Sequence, residues 1–230
     1  MLNLSSLNPP QRQAVETTEG PVLILAGAGT GKTRVITARV ARLIEKGAAP
    51  DNILAVTFTN KAAREMQERV TQLIGRGPKD AEGKPRRPTI CTFHSLCVRI
   101  LRQHIEKLGF KRNFVIYSES EQLGAIKKVL AHISNKGEKV DHGAVLAMLS
   151  RYKNGGERSE IFANSNVGAL AQHVYKKYQS ALHACNAVDF DDLILLTLRL
   201  FAEHPDALEA CRRKYKYVMV DEYQDTNAAQ

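Results

Sequence analysis

Apolar residues along this chain fall into two rhythms. Four runs are continuous and strand-length: Val22-Leu23-Ile24-Leu25, Ile53-Leu54-Ala55-Val56, Thr89-Ile90-Cys91-Thr92 and Tyr217-Val218-Met219-Val220. Such runs predict parallel strands buried on both faces. Polar or glycine residues follow each run, and the first three lead into helical spacing. Ile36, Val40, Leu43 and Ile44 repeat after the first and stop at Gly47. Ala63, Met66, Val70, Leu73 and Ile74 repeat after the second, with Asn60 able to cap their helix and Gly75 to end it. Leu96, Ile100, Leu101 and Ile105 repeat after the third. Strand–helix alternation predicts an α/β fold on a parallel sheet.

Over a hundred residues separate the third and fourth runs, with no strong strand signal among them. Ser118 with Glu121 fits a capping box, and Asp141, Ser165 and Asp189 stand at further helix starts. A continuous sheet does not need so much chain. Residues 96–199 are therefore expected to form an inserted, mostly helical subdomain, leaving 1–95 and 200–230 for the sheet domain. The segment 75–88, rich in Gly, Pro and basic residues, reads as a flexible loop. A helix begins near Gln230 and is cut off, so the chain is expected to be a fragment of a longer polypeptide, its sheet domain incomplete.

Composition is that of a globular protein: 230 residues, 43% hydrophobic and 25% charged. The net charge of +9, with a pI near 9.4, favours a polyanionic partner, nucleic acid or an anionic membrane surface. No apolar run approaches the ~20 residues of a membrane span, and the N-terminus has no secretory pattern. Cys91, Cys97, Cys185 and Cys211 form no CxxC pair, which fits thiols in a reducing cytosol.

The strongest chemical signal is Ala26-Gly27-Ala28-Gly29-Thr30-Gly31-Lys32-Thr33. It follows an expected strand and opens an expected helix, the context a phosphate-binding loop requires. Glycines let backbone N–H groups turn inward around phosphate oxygens, and the helix N-terminus adds the positive end of its dipole. Lys32 is expected to reach the β- and γ-phosphates and Thr33 to ligate Mg²⁺, with Arg34 beside them. Ala26 stands where the first glycine of the pattern belongs. The second signal is Asp221-Glu222-Tyr223-Gln224-Asp225, at the end of the fourth run. A strand ending in two carboxylates suits a metal–phosphate site at the C-terminal edge of a parallel sheet. Asp221 is expected to hold Mg²⁺, Glu222 to act as general base on water, and Gln224 and Asp225 to sit near the γ-phosphate.

Two further strand ends carry weaker signals. In Thr57-Phe58-Thr59-Asn60-Lys61, Phe58 either stacks on an unpaired base or packs in the core. Asn60 either contacts phosphate, with Lys61, or caps the helix. In Thr92-Phe93-His94-Ser95, His94 is either a core or capping residue or part of a nucleic-acid track. Around it, 84–112 carries eight basic residues (Lys84, Arg86, Arg87, Arg99, Arg102, Lys107, Lys111 and Arg112) and one acid, Glu106. That stripe suits a phosphate backbone, or simply a solvated face. Asp189-Phe190-Asp191-Asp192 offers three carboxylates, but a cap with a first-turn acid explains them without a metal. Near the start, Leu7-Asn8-Pro9-Pro10-Gln11 reads by composition as a capped helix start, and a Gln amide can pair with adenine.

In this order, the motifs resemble those of superfamily 1 DNA helicases of the UvrD/Rep/PcrA type, from about Leu7 to Gln230. Leu-Asn-Pro-Pro-Gln is similar to their adenine-reading motif, and Ala-Gly-Ala-Gly-Thr-Gly-Lys-Thr to motif I. Thr-Phe-Thr-Asn-Lys-Ala-Ala-Arg-Glu-Met is similar to motif Ia. Thr-Phe-His-Ser resembles the DNA-contact motif that follows. Asp-Phe-Asp-Asp-Leu and Asp-Glu-Tyr-Gln-Asp-Thr-Asn resemble the end of the insertion and motif II. The resemblance implies a RecA-like P-loop NTPase domain, a helical insertion that grips duplex, ATP with Mg²⁺ as cofactors, and a bacterial cytosolic, nucleoid-associated setting. It implies that Gln11 reads adenine and that Phe58, Asn60, Lys61, Thr92 and His94 touch single-stranded DNA. It implies 3′-to-5′ translocation and unwinding at single-strand/duplex junctions, in repair or replication restart. The later motifs of such helicases are absent from these 230 residues, so the segment alone is expected to bind nucleotide and DNA weakly and not to unwind.

Other readings compete. The helicase subunit of a RecB/AddA-type nuclease complex shares the motifs, but compact spacing argues against it. A non-catalytic ATP-switched DNA-binding module could dispense with Glu222. A small-molecule kinase leaves Phe58-Thr59-Asn60 and the basic stripe unexplained.

Overall fold

The computed structural model describes residues 3–27, 29–75, 77–79, 81–131, 141–154 and 166–230. Ala28 of the glycine-rich loop and Ser165, an expected helix start, lie outside them. The chain runs α1 (Pro9–Glu16), α2 (Lys32–Glu45), β1 (Ile53–Thr57), α3 (Asn60–Ile74), β2 (Thr89–Thr92), α4 (Phe93–His104), β3 (Val115–Ile116) and α5 (Glu119–Ala131). It continues with α6 (His142–Lys153), α7 (Asn166–Ala184), β4 (Ala187–Val188), α8 (Phe190–Glu203), α9 (Pro205–Lys214) and β5 (Tyr217–Val220). It forms two compact units, Met1–Ser95 with Leu208–Asp225, and Leu96–Ala207 with Thr226–Gln230. Among the described residues no helix is long and apolar enough to cross a membrane.

The first unit is built on a parallel sheet of order β2-β1-β5. β1 is central and every one of its residues is buried, which is why its sequence is an unbroken apolar run. Ile36, Val40 and Leu43 of α2 and Met66 and Val70 of α3 pack with Ile53, Ala55 and Ile90. Each of the Ile, Val, Leu and Met side chains contributes about 1.5–3 kcal/mol when removed from water, enough to hold both helices against the strands. α1 joins this unit through Leu7, Val15, Val35 and Ala38. The buried guanidinium of Arg39 donates to the carbonyls of Ala14 and Thr17, tying the end of α1 to α2.

Two expectations for this unit are corrected. Val22–Leu25 is not a strand: the segment has no ladder partner among the described residues, and Leu23 and Leu25 are 71% and 88% exposed. An apolar run records a need for burial, but a strand also needs a neighbouring backbone to bond. The outer side of β5 carries no strand among the described residues, and Val218 there is exposed. Asn60 is not the cap of α3. Thr59, in extended conformation, accepts the N–H of Ala62 at 3.1 Å and takes that role, and Asn60 becomes the first helical residue. Gly75 ends α3 with φ of 60°, as its position predicted.

The second unit is mostly helical. Ile126, Val129 and Leu130 of α5 pack with Val145 and Leu149 of α6 and with Val174, Tyr178 and Leu182 of α7. Ser118 and Glu121 pair at the head of α5, and Asp141 accepts from the N–H groups of Gly143 and Ala144. The stretch that carried no strong strand signal holds one short parallel pair, Val115 opposite Ala187 and Ile116 opposite Val188. Asp189 and Asp192 form the capping box of α8. The sequence hid their third partner: Lys153 of α6, 1% exposed, places Nζ 2.5 Å from Asp189 and 2.7 Å from Asp192. The Tyr178 hydroxyl donates to Asp189 and the Gln179 amide to Asp192. Burial works against the Lys153 ammonium, but Asp192 and Asp189 outweigh it and raise its pKa. Burial raises Asp192, Lys153 opposes this, and Asp189 adds to it.

Removing one partner from such a cluster leaves uncompensated buried charge. Lys153→Met is expected to lower unfolding stability by about 3–5 kcal/mol. Adding Asp192→Asn to that variant removes one stranded carboxylate and is expected to restore a large part of the loss. Urea unfolding of both variants checks this, and a double variant weaker than the single one would contradict it.

Candidate functional site

The glycine-rich loop turns directly into α2. Gly29 and Gly31 have φ of 73° and 88°, a left-handed backbone that side chains oppose. Gly31 is the cap residue of α2 and supplies no side-chain hydrogen bond. Among the described residues the first N–H groups of α2 therefore have no capping side chain, which is the geometry of an anion site. Within the loop, the Thr30 hydroxyl donates to the Gly27 carbonyl at 2.7 Å and closes the turn. Lys32 Nζ lies 3.5 Å from the Ala26 carbonyl and 3.5 Å from Glu222 Oε2.

β5 delivers the opposing carboxylates. Its last residue, Val220, pairs with Val56, and the Asp221 N–H donates to the Val56 carbonyl, so the following residues leave at the sheet's C-terminal edge. Asp221 is buried, and its Oδ1 has no hydrogen-bond partner among the described residues. Burial raises its pKa and the Glu222 charge adds to this; Lys32 and the Thr33 hydroxyl work in the other direction. A buried carboxylate oxygen without a donor, beside a threonine hydroxyl, is a fit for a hard divalent cation with oxygen ligands. Glu222 has φ of 53°, the left-handed region that non-glycine residues seldom occupy. This turns its side chain toward the loop, where Gln224 Nε2 and Lys32 both meet its carboxylate. The Gln224 hydrogen bond and the Lys32 charge lower its pKa. Glu222 is thus an ionised acceptor facing the same point as Lys32. Asp225 closes the turn through its N–H to the Glu222 carbonyl.

Gln11 reaches from α1 to the glycine-rich loop. Its Oε1 accepts the Asn8 N–H and its Nε2 donates to the Thr30 carbonyl at 2.9 Å, so both ends of the amide are engaged. It braces the phosphate loop from α1. Arg34 is tied to Ser6 Oγ at 2.5 Å.

At the neighbouring strand ends, Phe58 and Phe93 are half-buried, their ring centroids 5.6 Å apart. Asn60 and Lys61 are exposed beside them, and His94 is half-buried. Thr92 is buried: its hydroxyl accepts the Ser95 N–H and donates to Ser95 Oγ, capping α4 instead of facing outward. The basic stripe is not a band of unpaired charge. Arg86 pairs with Asp51, Lys107 with Asp206 and Arg112 with Glu106, while Arg102 lies over the Phe114 ring. Phe93 was not singled out from the sequence. Its signal was its place immediately after a strand, matching that of Phe58.

Comparison with known proteins agrees with this constellation. The family model for the UvrD/REP helicase N-terminal domain matches residues 7–230. The chain is 48% identical over 231 residues to a protein of Bacillus subtilis named ATP-dependent DNA helicase PcrA, covering 99% of this chain and 30% of that protein. The proteins of the same name from Staphylococcus aureus and Staphylococcus epidermidis are 45% and 44% identical, over 99% of this chain and 31% of theirs. The chain thus spans about a third of the length of the curated relatives it matches. With the phosphate loop, the paired carboxylates and the aromatic strand end arranged as above, the chain belongs to the UvrD/Rep helicase family, and what it represents is that family's N-terminal domain.

Proposed function

We propose that this chain is the ATP-binding N-terminal part of a motor that moves 3′ to 5′ along single-stranded DNA and separates duplex at junctions, in repair or replication restart in the bacterial cytosol. In this reading the first unit is the RecA-like ATPase domain and the second the helical insertion that grips duplex. The observation that carries it is the convergence of Lys32, Thr33, Asp221 and Glu222 at an uncapped helix N-terminus. An ATP-switched binding module has no use for an ionised Glu222 held against the phosphate loop. The PcrA names of the relatives support the same assignment.

The residues divide the work. The N–H groups of the loop and of α2 receive the phosphates, and Lys32 exchanges Glu222 for the γ-phosphate. That exchange is easy because both side chains are part-exposed, where an ion pair contributes about 0–1 kcal/mol. Released from Lys32 and kept ionised by Gln224, Glu222 takes a proton from the attacking water. Thr33 and Asp221 are the residues that would hold Mg²⁺, which would supply charge neutralisation for the bound phosphates. Gln11 links the adenine side of the site to the phosphate loop through Thr30. Phe58, Asn60, Lys61 and His94 line the DNA track, with Phe58 stacking on a base. Thr92 serves that track through its cap of α4, which fixes where His94 stands.

Glu222→Gln in the full-length protein is expected to lower DNA-stimulated ATP turnover by about a hundredfold or more while nucleotide still binds. Its folding stability is expected to stay within about 1 kcal/mol of wild type, because the lost ion pair is part-exposed. Steady-state ATPase assays with and without single-stranded DNA, with denaturant unfolding as control, check both. Turnover that ignores DNA, or ignores this substitution, would overturn the mechanism.

A second expectation concerns the metal. A non-hydrolysable ATP analogue with Mg²⁺ should raise the melting temperature by a few degrees, as ligand linkage requires. EDTA should remove most of that rise from the wild type. In Asp221→Asn the rise should be small and indifferent to EDTA; an EDTA-sensitive rise of wild-type size in that variant would exclude Asp221 as a ligand.

A further inference from the structure

We propose that Phe93 is a positioning residue for Phe58, holding that ring so that one face stays open to a DNA base. The inference rests on the reading of Phe58 as a base-stacking residue. It assigns a role to a neighbour that base stacking itself does not require.

β1 and β2 run parallel with Thr57 opposite Thr92, so the residues that follow, Phe58 and Phe93, leave the sheet side by side. A register shift of one residue would turn the two rings to opposite faces. Each backbone is then fixed by its own cap. Thr59 accepts the Ala62 N–H at the head of α3, and Thr92 accepts the Ser95 N–H at the head of α4. Two ring-bearing positions are thus locked independently, one residue from buried strand ends.

The rings themselves meet at 5.6 Å between centroids and 59° between planes. Tilted rings at this separation lie within the centroid range at which aromatic pairs attract. The contact spends only part of the surface of each ring, and both stay half-buried. A half-exposed phenylalanine with no such neighbour samples several rotamers and loses them when a base stacks on it. Phe93 removes that freedom beforehand, which favours binding by preorganisation. A pair that only filled the core would be expected to be buried like Ile90 and Cys91 just before it.

The test uses the full-length protein and a fluorescein-labelled oligothymidylate at fixed salt, read by anisotropy. Phe58→Leu is expected to weaken binding by about tenfold, the scale of one lost base stack. Phe93→Leu is expected to weaken it by about threefold to tenfold, the scale of one aromatic pair. Phe93→Met, which fills the same space without a ring, should match it and stands in if the Leu variant folds poorly. Phe93→Tyr keeps the ring and should bind within about twofold of wild type. The Phe58→Leu/Phe93→Leu double variant should bind about as Phe58→Leu alone does, because the second ring has nothing left to position. In ATPase assays Phe93→Leu should raise the DNA concentration giving half-maximal stimulation and largely retain the maximal rate. Wild-type DNA affinity in Phe93→Leu and Phe93→Met, with Phe58→Leu weakened, would overturn the inference alone. Effects that multiply in the double variant would also overturn it. Wild-type affinity in Phe58→Leu would overturn the DNA reading of that edge, and this inference with it.

Discussion

Parallel pairing of β2, β1 and β5 is the constraint on which the site depends. Because the strands run the same way, their C-terminal ends reach one edge together, and whatever residue follows each strand is delivered there. Phe58 follows β1, Phe93 follows β2 and Asp221 follows β5. The backbone bond from Asp221 to Val56 extends the ladder one residue past β5, so the carboxylate is placed by the sheet itself. An antiparallel strand in the middle would send its ending to the opposite edge. Burial of β1 by α2 and α3 keeps this arrangement rigid, and α2 is the helix whose uncapped start faces the carboxylates.

Much of this was written in the chain. The apolar runs of β1, β2 and β5 marked buried strands, and glycine and lysine spacing marked the loop that turns into α2. The caps at Asp141 and Asp189 stood where short polar residues precede helical rhythm. What escaped was whatever depends on a partner distant in sequence. Val22–Leu25 has the hydrophobicity of a strand but no backbone beside it to bond. Lys153 lies 36 residues from Asp189, and nothing local distinguishes it from a surface lysine. Phe93 gains meaning only once the register of β1 against β2 is known. Thr59 and Asn60 compete for the same cap, and only backbone conformation separates them.

Side chains that look like ligand contacts in the sequence also hold the site together. Gln11 is spent on Asn8 and Thr30, so it stiffens the phosphate loop from outside. Thr92 is spent on Ser95, so it fixes the start of α4. Such residues make the exposed groups beside them reproducible in position. A site on a sheet edge gains precision from buried strands, but its loops gain it from these short polar bonds.

The two lysine–carboxylate contacts show how surroundings decide what one kind of chemistry becomes. Lys32 and Glu222 lie 3.5 Å apart and part-exposed, so water competes and the pair is weak. Lys153 meets Asp189 and Asp192 at 2.5 and 2.7 Å with almost no exposure, and burial makes any separation expensive. In the mechanism proposed above the first pair changes partners, while the second ties α6 to the cap of α8. The loose pair is therefore the one suited to chemistry. Its looseness is a property of position at the sheet edge, since the same ammonium and carboxylate groups among buried helices become part of the architecture.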